Sequence, residues 1–322
     1  MIRIIYLAYV MSLSKMMPEE PIPEPPNSAD QDDSSSAPVP PLETESAPVC
    51  ESGKDVAYSK ATESIYDSSL IVDSEEYDFV VSKLREFFKG RGFLEAHPQN
   101  RLSILAACED PFTVAQFDYA GKVWPLPQTG QMWLEYELLK KPEAKGFYCQ
   151  STSYRQEQTP VEGRHDLIFP LFEFEMHGGM DALIEMEKEL LTHLGYDASK
   201  FVKGTYAEMS EKYGVKELEH EQETAMATDM SPTFFLTDFP EYTSPFWNMK
   251  RHDAPRGDIA KKVDVILSGQ ETFDSAERET EHEVMRDLLT NATRGSRFGI
   301  GVTRLIRSMK AEGLMPNFSK KE

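Results

Sequence analysis

The sequence predicts an α+β fold in which an antiparallel sheet is backed by helices. Two stretches, residues 75–91 and 178–195, place their apolar residues at helical spacing. Short strand candidates, most of which do not alternate between apolar and polar residues, are spread from residue 93 to residue 301. Helices and short strands in this order are typical of an α+β protein. We find no internal repeat and no GxGxxG or GxxxxGK[ST] motif.

The elements follow from local patterns. In residues 75–91, Tyr77, Val80 and Leu84 share one helical face, and Gly92 follows the helix. Further helices are predicted at residues 129–139, 178–195, 201–225, 281–289 and 302–311. Strands are predicted at residues 93–96, 112–119, 122–126, 147–154, 167–175, 233–239, 262–267 and 297–301.

The composition limits the classes of function. The chain has 322 residues and a formal net charge of -21, which suits one large domain or two small ones with an ample core. The acidic balance disfavours a broad surface for duplex nucleic acid but allows an anionic small molecule in a local basic pocket. The three cysteines, Cys50, Cys108 and Cys149, lack metal-ligand spacing and indicate free thiols in a reducing compartment. We therefore expect a cytoplasmic protein.

Residues 1–60 are predicted to form an acidic tail outside the folded domain, which spans residues 61–322. Residues 18–56 are rich in Pro, Ser, Asp and Glu, cannot bury a core and are predicted to be disordered. Residues 1–13 form an apolar run that is too short to span a bilayer and lacks a clear cleavage site. We favour an incidental extension, with a signal or anchor as the alternative, and expect no membrane partner.

Residues 154–175 carry the most informative motif. Arg155 opens a loop between two predicted strands, and Arg164 and His165 lie towards the other end of that loop. Guanidinium groups keep their charge and match the geometry of phosphate oxygens, so the loop predicts a polyphosphate site. Phe169 offers a ring on which a base can stack. The alternatives are an ordinary charged hairpin and, for Phe169, simple core packing.

A second motif runs from a predicted strand into a helix at residues 297–304. Gly299 and Gly301 leave room for a ligand beside the backbone. Arg304 falls in the first turn of the helix, where its guanidinium can stack on a base.

A third motif places carboxylates around a turn. Asp264 lies in an apolar run and Glu271 follows across the turn, and two hard carboxylates of this kind suit Mg²⁺ bridging phosphates. Arg278 is then free to bind an anionic or amide side chain. The alternative is a solvated acidic turn, which we expect for Asp274 and Glu277 more than for Asp264.

A fourth motif puts Gln131 and Glu135 on one face of a predicted helix, because they lie four residues apart. They could bind an α-amino group and a polar side chain. The alternative is an ordinary first turn of a helix, where Glu is common.

Together these motifs resemble the catalytic core of a class II aminoacyl-tRNA synthetase, of the subgroup that activates aspartate, asparagine or lysine. Residues 93–98 resemble the dimer-interface motif of that family, residues 154–157 with Arg164 and His165 its second motif, and residues 298–304 its third. The resemblance extends from about residue 70 to residue 316, and its strength comes from the joint order and spacing of the motifs.

The resemblance implies a six- or seven-stranded antiparallel sheet flanked by helices, a homodimer, and ATP-dependent activation of an amino acid with Mg²⁺. The implied ATP-binding residues are Arg155, Glu157, Arg164, His165, Phe169, Glu271, Gly301 and Arg304. The implied amino-acid-binding residues are Glu109, Gln131, Glu135, Glu173 and Arg278. The implied metal ligands are Asp264 and Glu271, and the implied catalytic residues are Arg155 and Arg304.

Departures from the family pattern limit which amino acid the chain is expected to activate. Leu134 stands where aspartate-activating relatives carry a lysine, and Glu135 would repel a side-chain carboxylate and accept from an amide. This favours asparagine, or another neutral or amine-bearing amino acid, over aspartate. Ile168 and Thr303 replace acidic residues that relatives often carry near the adenine and before the third-motif arginine.

The acceptor of the activated amino acid is a separate question. Relatives that charge tRNA carry an anticodon-binding barrel before the core, whereas here an acidic tail precedes it. With the negative net charge, this favours transfer to a non-tRNA acceptor or to ammonia. The alternatives are a minimal asparaginyl- or aspartyl-type aminoacyl-tRNA synthetase and a non-catalytic paralogue that binds ATP or an amino acid.

Overall fold

A computed structural model describes residues 72–98, 113–157, 160, 165–291 and 299–318. The predicted tail, residues 1–60, lies outside these ranges, as do Cys50 and Cys108. Within the described ranges, Cys149 is a buried free thiol, and no helix is both long and apolar enough to cross a membrane.

Most helices and strands of the structure lie close to the predicted ones, but the strand at residues 270–276 was not predicted. The helices are α1 (Ser74–Gly90), α2 (Gln131–Lys140), α3 (Met180–Leu194), α4 (Tyr206–Tyr213), α5 (His220–Asp229), α6 (His282–Asn291) and α7 (Val302–Ala311). The strands are β1 (Leu94–Glu95), β2 (Gln116–Tyr119), β3 (Lys122–Pro125), β4 (Gly146–Tyr154), β5 (Ile168–Met176), β6 (Phe201–Thr205), β7 (Thr233–Pro240), β8 (Ile259–Leu267), β9 (Gln270–Ala276) and β10 (Gly299–Gly301).

The main sheet corrects the predicted fold class in part. It has eight strands in the order β1-β4-β5-β10-β9-β8-β7-β6, and β2 pairs with β3 in a separate hairpin. The six inner strands are antiparallel to their inner neighbours. The outer strands β1 and β6 run parallel to β4 and β7, so the sheet is mixed and larger than the predicted antiparallel sheet of six or seven strands.

The edge strand β6 also corrects the helix predicted at residues 201–225. Phe201 to Thr205 pair along β7 before the first helix of this region begins. Thr205 then accepts a hydrogen bond from the amide of Glu208 and is capped in return by the Glu208 side chain, which starts α4 at Tyr206. The chain leaves α4 at Gly214, which has a left-handed backbone.

One face of the sheet is covered by helices. Side chains of α1, α3 and α7 pack with sheet residues in the largest apolar cluster of the described chain. Phe88 of α1 lies at its centre, with its ring stacked on Tyr148 of β4 and Phe172 of β5 at centroid distances of 5.6 and 5.7 Å. Apolar burial of this kind is the main force that holds helices on a sheet.

The other face of the sheet carries the polar residues. Because side chains alternate along a strand, Phe172 and Phe174 of β5 point to the helices while Glu173 and Glu175 point away. On β8, Val263 and Val265 belong to the helix-packed cluster, so Asp264 points away as well. We call this second surface the site face. The helix α2 packs against part of it, with Leu134 of α2 in contact with Phe147 and Cys149 of β4.

Candidate active site

The β4–β5 hairpin places Arg155 at the end of the site face. The backbone amide of Arg155 donates to the carbonyl of Leu167 at 2.8 Å, which closes the ladder beyond Tyr154. The Arg155 guanidinium lies 4.9 Å from the ring centre of Phe169, and its Nη1 lies 3.8 Å from Glu157 Oε1. The predicted phosphate and base groups are therefore adjacent in the fold.

Glu157 joins this cationic end to His165. The other carboxylate oxygen of Glu157 lies 2.7 Å from His165 Nδ1, so one carboxylate holds both an arginine and a histidine in place. Arg164, predicted to act with His165, lies outside the described residues. Ile168, which replaces an acidic residue of the family pattern, is 49% exposed.

A contact that the sequence did not predict ties this loop to α7. Asp166 accepts a hydrogen bond from Thr303 Oγ1 at 3.1 Å and pairs with Arg307 at 3.3 Å. The same helix carries Arg304, so Asp166 couples the position of the loop to that of the second predicted arginine. No local pattern could have paired residues this far apart in the sequence.

The second motif, described from Gly299 onwards, lies on the neighbouring strand β10 and the start of α7. Ile300 pairs with Phe172 of β5 and Phe273 of β9, and α7 begins directly after Gly301. The guanidinium Nη1 of Arg304 donates to the carbonyl oxygen of Glu271 at 2.7 Å, which brings Arg304 to the turn end of the β8–β9 hairpin. A side chain at Gly301 would contact Arg304 at 3.6 Å.

The predicted metal ligands are part of a cluster of three carboxylates, which we call the acidic cluster. Asp264, Glu271 and Asp274 each offer one oxygen, and these oxygens lie within 4.8 Å of one another. This geometry and the hard oxygen donors fit a divalent cation such as Mg²⁺. Asp274 lies inside β9 and is only 4% exposed. The prediction that it is a solvated turn residue is therefore wrong.

Glu277 is likewise not a solvated turn residue. Its carboxylate accepts from the amide of Met180 at 3.1 Å, at the start of α3. Lys250 and Lys261 pair with it at 3.1 and 3.3 Å. The cationic partners and the amide hydrogen bond outweigh the burial that opposes them and hold the pKa of Glu277 below its ordinary value.

A second charged group, the Arg278 pocket, forms beside the acidic cluster. Arg278 lies 3.3 Å from Glu135 and 3.6 Å from Glu175, and it donates to Gln131 Oε1 at 3.1 Å. Arg278, predicted to bind the side chain of the amino acid, therefore contacts both predicted α2 residues, Gln131 and Glu135. Glu175 is an additional member that sequence reasoning missed, although its alternation with Phe174 on β5 was a signal for it.

Burial dominates the protonation of this pocket. Burial raises the pKa of Glu175 to about 7, while Arg278 opposes the rise and Glu135 adds to it. Gln131 is 1% exposed, and its Nε2 finds no hydrogen-bond acceptor among the described residues. A buried amide donor without an acceptor costs free energy unless a ligand satisfies it.

Glu173, predicted to bind the amino acid, supports α2 in this structure. It is 1% exposed and accepts from Ser151 Oγ, from Thr129 Oγ1 and from the amide of Gly130. Burial raises the pKa of Glu173, and these three hydrogen bonds oppose the rise. Gly130 is required at this contact, because an added side chain would lie 2.7 Å from Cys149 Sγ.

Glu109, the other predicted amino-acid ligand, lies outside the described residues. The hairpin, the α7 arginine, the acidic cluster and the Arg278 pocket all lie along strands β5, β10, β9 and β8, which are neighbours in the sheet. Such an arrangement brings cations for a polyphosphate, carboxylates for a metal ion and a small polar pocket onto one surface.

Comparison with known proteins identifies a family that this chain matches over most of its length. The family model of tRNA synthetases class II (D, K and N) matches residues 73–307. The aspartate--tRNA(Asp/Asn) ligase of Methanopyrus kandleri is 24% identical over 230 residues, which cover 64% of this chain and 52% of that protein. The chain thus spans about half the length of this curated relative.

Solved structures of low sequence identity share the fold. Asparaginyl-tRNA synthetase from Pyrococcus horikoshii, complexed with asparaginyl-adenylate, aligns with a TM-score of 0.62 and 18% identity over 73% of this chain and 64% of that one. The Entamoeba histolytica asparaginyl-tRNA synthetase in complex with asparaginyl-adenylate aligns with a TM-score of 0.62 and 17% identity, over 74% and 63%. Because the family model covers most of the described core, the chain belongs to the class II tRNA synthetase family of the D, K and N type.

Proposed function

We propose that this chain activates an amino acid with ATP to form an aminoacyl-adenylate. The observation that carries this proposal is the assembly of the Arg155 loop, Arg304, the acidic cluster and the Arg278 pocket on one sheet face. In this reaction a carboxylate oxygen of the amino acid attacks the α-phosphorus of ATP. A new oxygen–phosphorus bond forms, the bond from the α-phosphorus to the bridging oxygen breaks, and pyrophosphate leaves with its electron pair.

The protein contributes positioning and charge stabilisation to this step. Arg155 would hold the α-phosphate and the attacking carboxylate, and Phe169 and Arg304 would enclose the adenine. His165, held by Glu157, would bind the distal phosphates together with Arg304 and, as predicted, Arg164. Fixed cations aimed at charge that develops in the transition state are an effective source of rate acceleration. No side chain needs to form a covalent bond.

Asp264 and Glu271 would hold Mg²⁺ in this reaction. The ion, when bound, would neutralise phosphate charge and help pyrophosphate to leave. The close approach of the carboxylate oxygens in the acidic cluster supports this assignment.

The pocket supports asparagine, or another neutral or amine-bearing amino acid, as the substrate. An amide side chain offers a carbonyl oxygen to Arg278 and an NH₂ group to Glu135, which lie 3.3 Å apart in the structure. A side-chain carboxylate would meet Glu135 and the ionised form of Glu175. We propose that Gln131 and Glu109 hold the α-ammonium group. This requires Gln131 Oε1 to release its hydrogen bond from Arg278 and accept one from the substrate. Glu173 is proposed to support α2 behind these residues.

Two classes of acceptor follow from this activity. We propose first a non-tRNA acceptor or ammonia, on the strength of the net charge of -21. The second candidate is aminoacylation of tRNA, which the names of the relatives favour, since both the curated relative and the solved structures are tRNA ligases or synthetases. A homodimer through residues 93–98 is proposed with either acceptor, and β1 lies at the open edge of the sheet with Leu94 exposed.

Pyrophosphate exchange with ATP, screened across the amino acids, tests the proposal. We expect exchange with asparagine or a similar amino acid and weaker exchange with aspartate. A complete lack of exchange, also in the presence of ammonia and total tRNA, would support a non-catalytic paralogue instead. If exchange occurs, aminoacylation of total tRNA separates the two acceptors, because a stable aminoacyl-tRNA product contradicts the first candidate. Analytical ultracentrifugation tests the dimer.

A further inference from the structure

A lysine lies among the carboxylates of the acidic cluster. Lys262 Nζ is 2.7 Å from Asp264 Oδ2 and 3.6 Å from Asp274 Oδ1, and it lies 4.0 Å from the ring centre of Phe239. Lys262 is only 7% exposed. Its ammonium is therefore a fixed part of the cluster and not a surface charge that happens to point towards it.

The carboxylates retain unused capacity for a second cation. Asp264 and Asp274 are 6% and 4% exposed. Oδ1 of each has no hydrogen-bond partner among the described residues, although Asp274 Oδ1 keeps its ionic contact with Lys262 Nζ at 3.6 Å. Buried carboxylate oxygens without a hydrogen bond are costly. They point to a ligand that the three carboxylates share, with oxygens no more than 4.8 Å apart. Two oxygens on opposite sides of a Mg²⁺ ion lie about 4.2 Å apart, twice the usual bond length.

Charge balance limits what this ligand can be. A bound metal ion requires ionised carboxylates, and three of them with one ammonium leave two more negative charges than positive ones in the cluster. One divalent ion would complete the balance, whereas a second would leave excess positive charge in a buried place. Without the lysine, the same carboxylates would carry a third uncompensated charge and attract a divalent ion more strongly.

We propose that Lys262 is a positioning residue that supplies a resident cation to the acidic cluster and so restricts it to a single, moderately bound divalent ion. Glu271, Asp264 and Asp274 would hold the ion, while Lys262 retains Asp264 Oδ2. Asp274 is thereby a third carboxylate of the metal site. This inference rests on the metal site of the proposed function.

Binding of Mn²⁺ alone to the full chain, followed by the electron paramagnetic resonance signal of the free ion, tests the inference without any catalytic readout. We expect one Mn²⁺ per wild-type chain. Lys262→Met should bind Mn²⁺ at least roughly tenfold more tightly, which corresponds to about 1.4 kcal/mol. Lys203→Met is the matched control, because Lys203 is an exposed lysine on the edge strand β6 of the same sheet, and it should bind like the wild type.

Asp274→Asn and the double variant Lys262→Met/Asp274→Asn complete the test. Asp274→Asn should bind Mn²⁺ roughly tenfold more weakly, because one carboxylate is lost while the ammonium stays. The double variant restores the charge balance and should return to near wild-type affinity. It also removes the buried lysine, so it keeps the test decisive if Lys262→Met alone fails to fold.

Three results would overturn the inference. These are an unchanged affinity in either Lys262→Met or Asp274→Asn, more than one Mn²⁺ bound per wild-type chain, or no Mn²⁺ bound by the wild type while Lys262→Met binds it. The last result would mean that the lysine replaces the ion. The exchange assay reports separately on the proposed function, since a chain with the expected Mn²⁺ binding but no exchange loses only that function.

Discussion

The acidic cluster and the Arg278 pocket are two charged groups on the same sheet face, but they are built differently. The acidic cluster draws all of its carboxylates and its lysine from the two neighbouring strands β8 and β9. The Arg278 pocket combines Gln131 and Glu135 of α2, Glu175 of β5, and Arg278, which lies just beyond the end of β9.

This difference in construction matches a difference in charge. The acidic cluster has three carboxylates to one ammonium, and in the ionised form that binds a metal ion its net charge is negative. In the Arg278 pocket one guanidinium meets two carboxylates, of which Glu175 has a pKa of about 7 because it is buried, so the pocket is close to neutral near that pH. A neutral pocket suits an uncharged amide, and its assembly from several elements makes it sensitive to the position of α2.

The largest expected effect concerns Arg155, in the proposed phosphate site that the acidic cluster and the Arg278 pocket share. Arg155→Ala should lower pyrophosphate exchange by at least roughly 100-fold, the usual loss when a donor to a transition-state charge is removed. The variant should keep the folded state and any dimer. Arg286→Ala, which removes an arginine 56% exposed on α6, is the control and should exchange normally. Exchange at the wild-type rate in Arg155→Ala would mean that the site has been misplaced.

A charge reversal in the Arg278 pocket should produce the next largest effect. Glu135→Lys should shift the ratio of kcat/KM for asparagine over aspartate towards aspartate by roughly tenfold or more, since a lysine attracts the side-chain carboxylate. Glu135→Gln, which removes the charge without reversing it, should give a smaller shift. An unchanged amino-acid profile in Glu135→Lys would break the assigned role of this pocket.

Titration of Glu175 should sharpen the comparison further. Its pKa is raised to about 7, so the group is protonated below that pH and ionised above it. The pocket becomes more negative as the pH rises from about 6 to 8, and activation of aspartate relative to asparagine should fall by roughly three- to tenfold. Glu175→Gln should flatten this profile. A wild-type profile that is already flat would show that Glu175 does not titrate beside the substrate.

The smallest expected effect concerns the helix-covered side of the acidic cluster. Burial raises the pKa of Glu187 on α3 to about 8, opposed by Ser275 and supported by Asp274. A carboxyl whose folded-state pKa is raised loses its stabilising contribution as the pH rises from about 4.3, its unfolded value, to about 8. Glu187→Gln should therefore raise Tm relative to the wild type by roughly 5 °C at pH 8 and by less at pH 5.

Thermal denaturation across this pH range measures that effect. Glu185→Gln is the matched control, because Glu185 is a neighbour on the same helix with 66% exposure and pairs with Lys188. It should leave the pH dependence of Tm unchanged. If Glu187→Gln and Glu185→Gln behave alike, Glu187 is not buried in the protonated form.

Local sequence determined much of this protein. Helical spacing of apolar residues predicted α1 and α3 within a few residues, and the hairpin around Arg155 was placed almost at its observed bounds. The order and spacing of the motifs also led to the correct family. These features depend on residues close together in the chain, where periodicity and turn chemistry act directly.

Only the tertiary structure decided the features that depend on distant neighbours. The strand β6 forms along the edge of β7. The sequence of β9 is polar and gave no strand signal, and this segment becomes a strand through its pairing with β8 and β10. Lys262 became part of the site, and Asp274 a buried carboxylate, through the same strand pairing. Pairing across a sheet sets which charges meet and how far they are from water, and those two quantities, which no local pattern contains, decide what each carboxylate can bind.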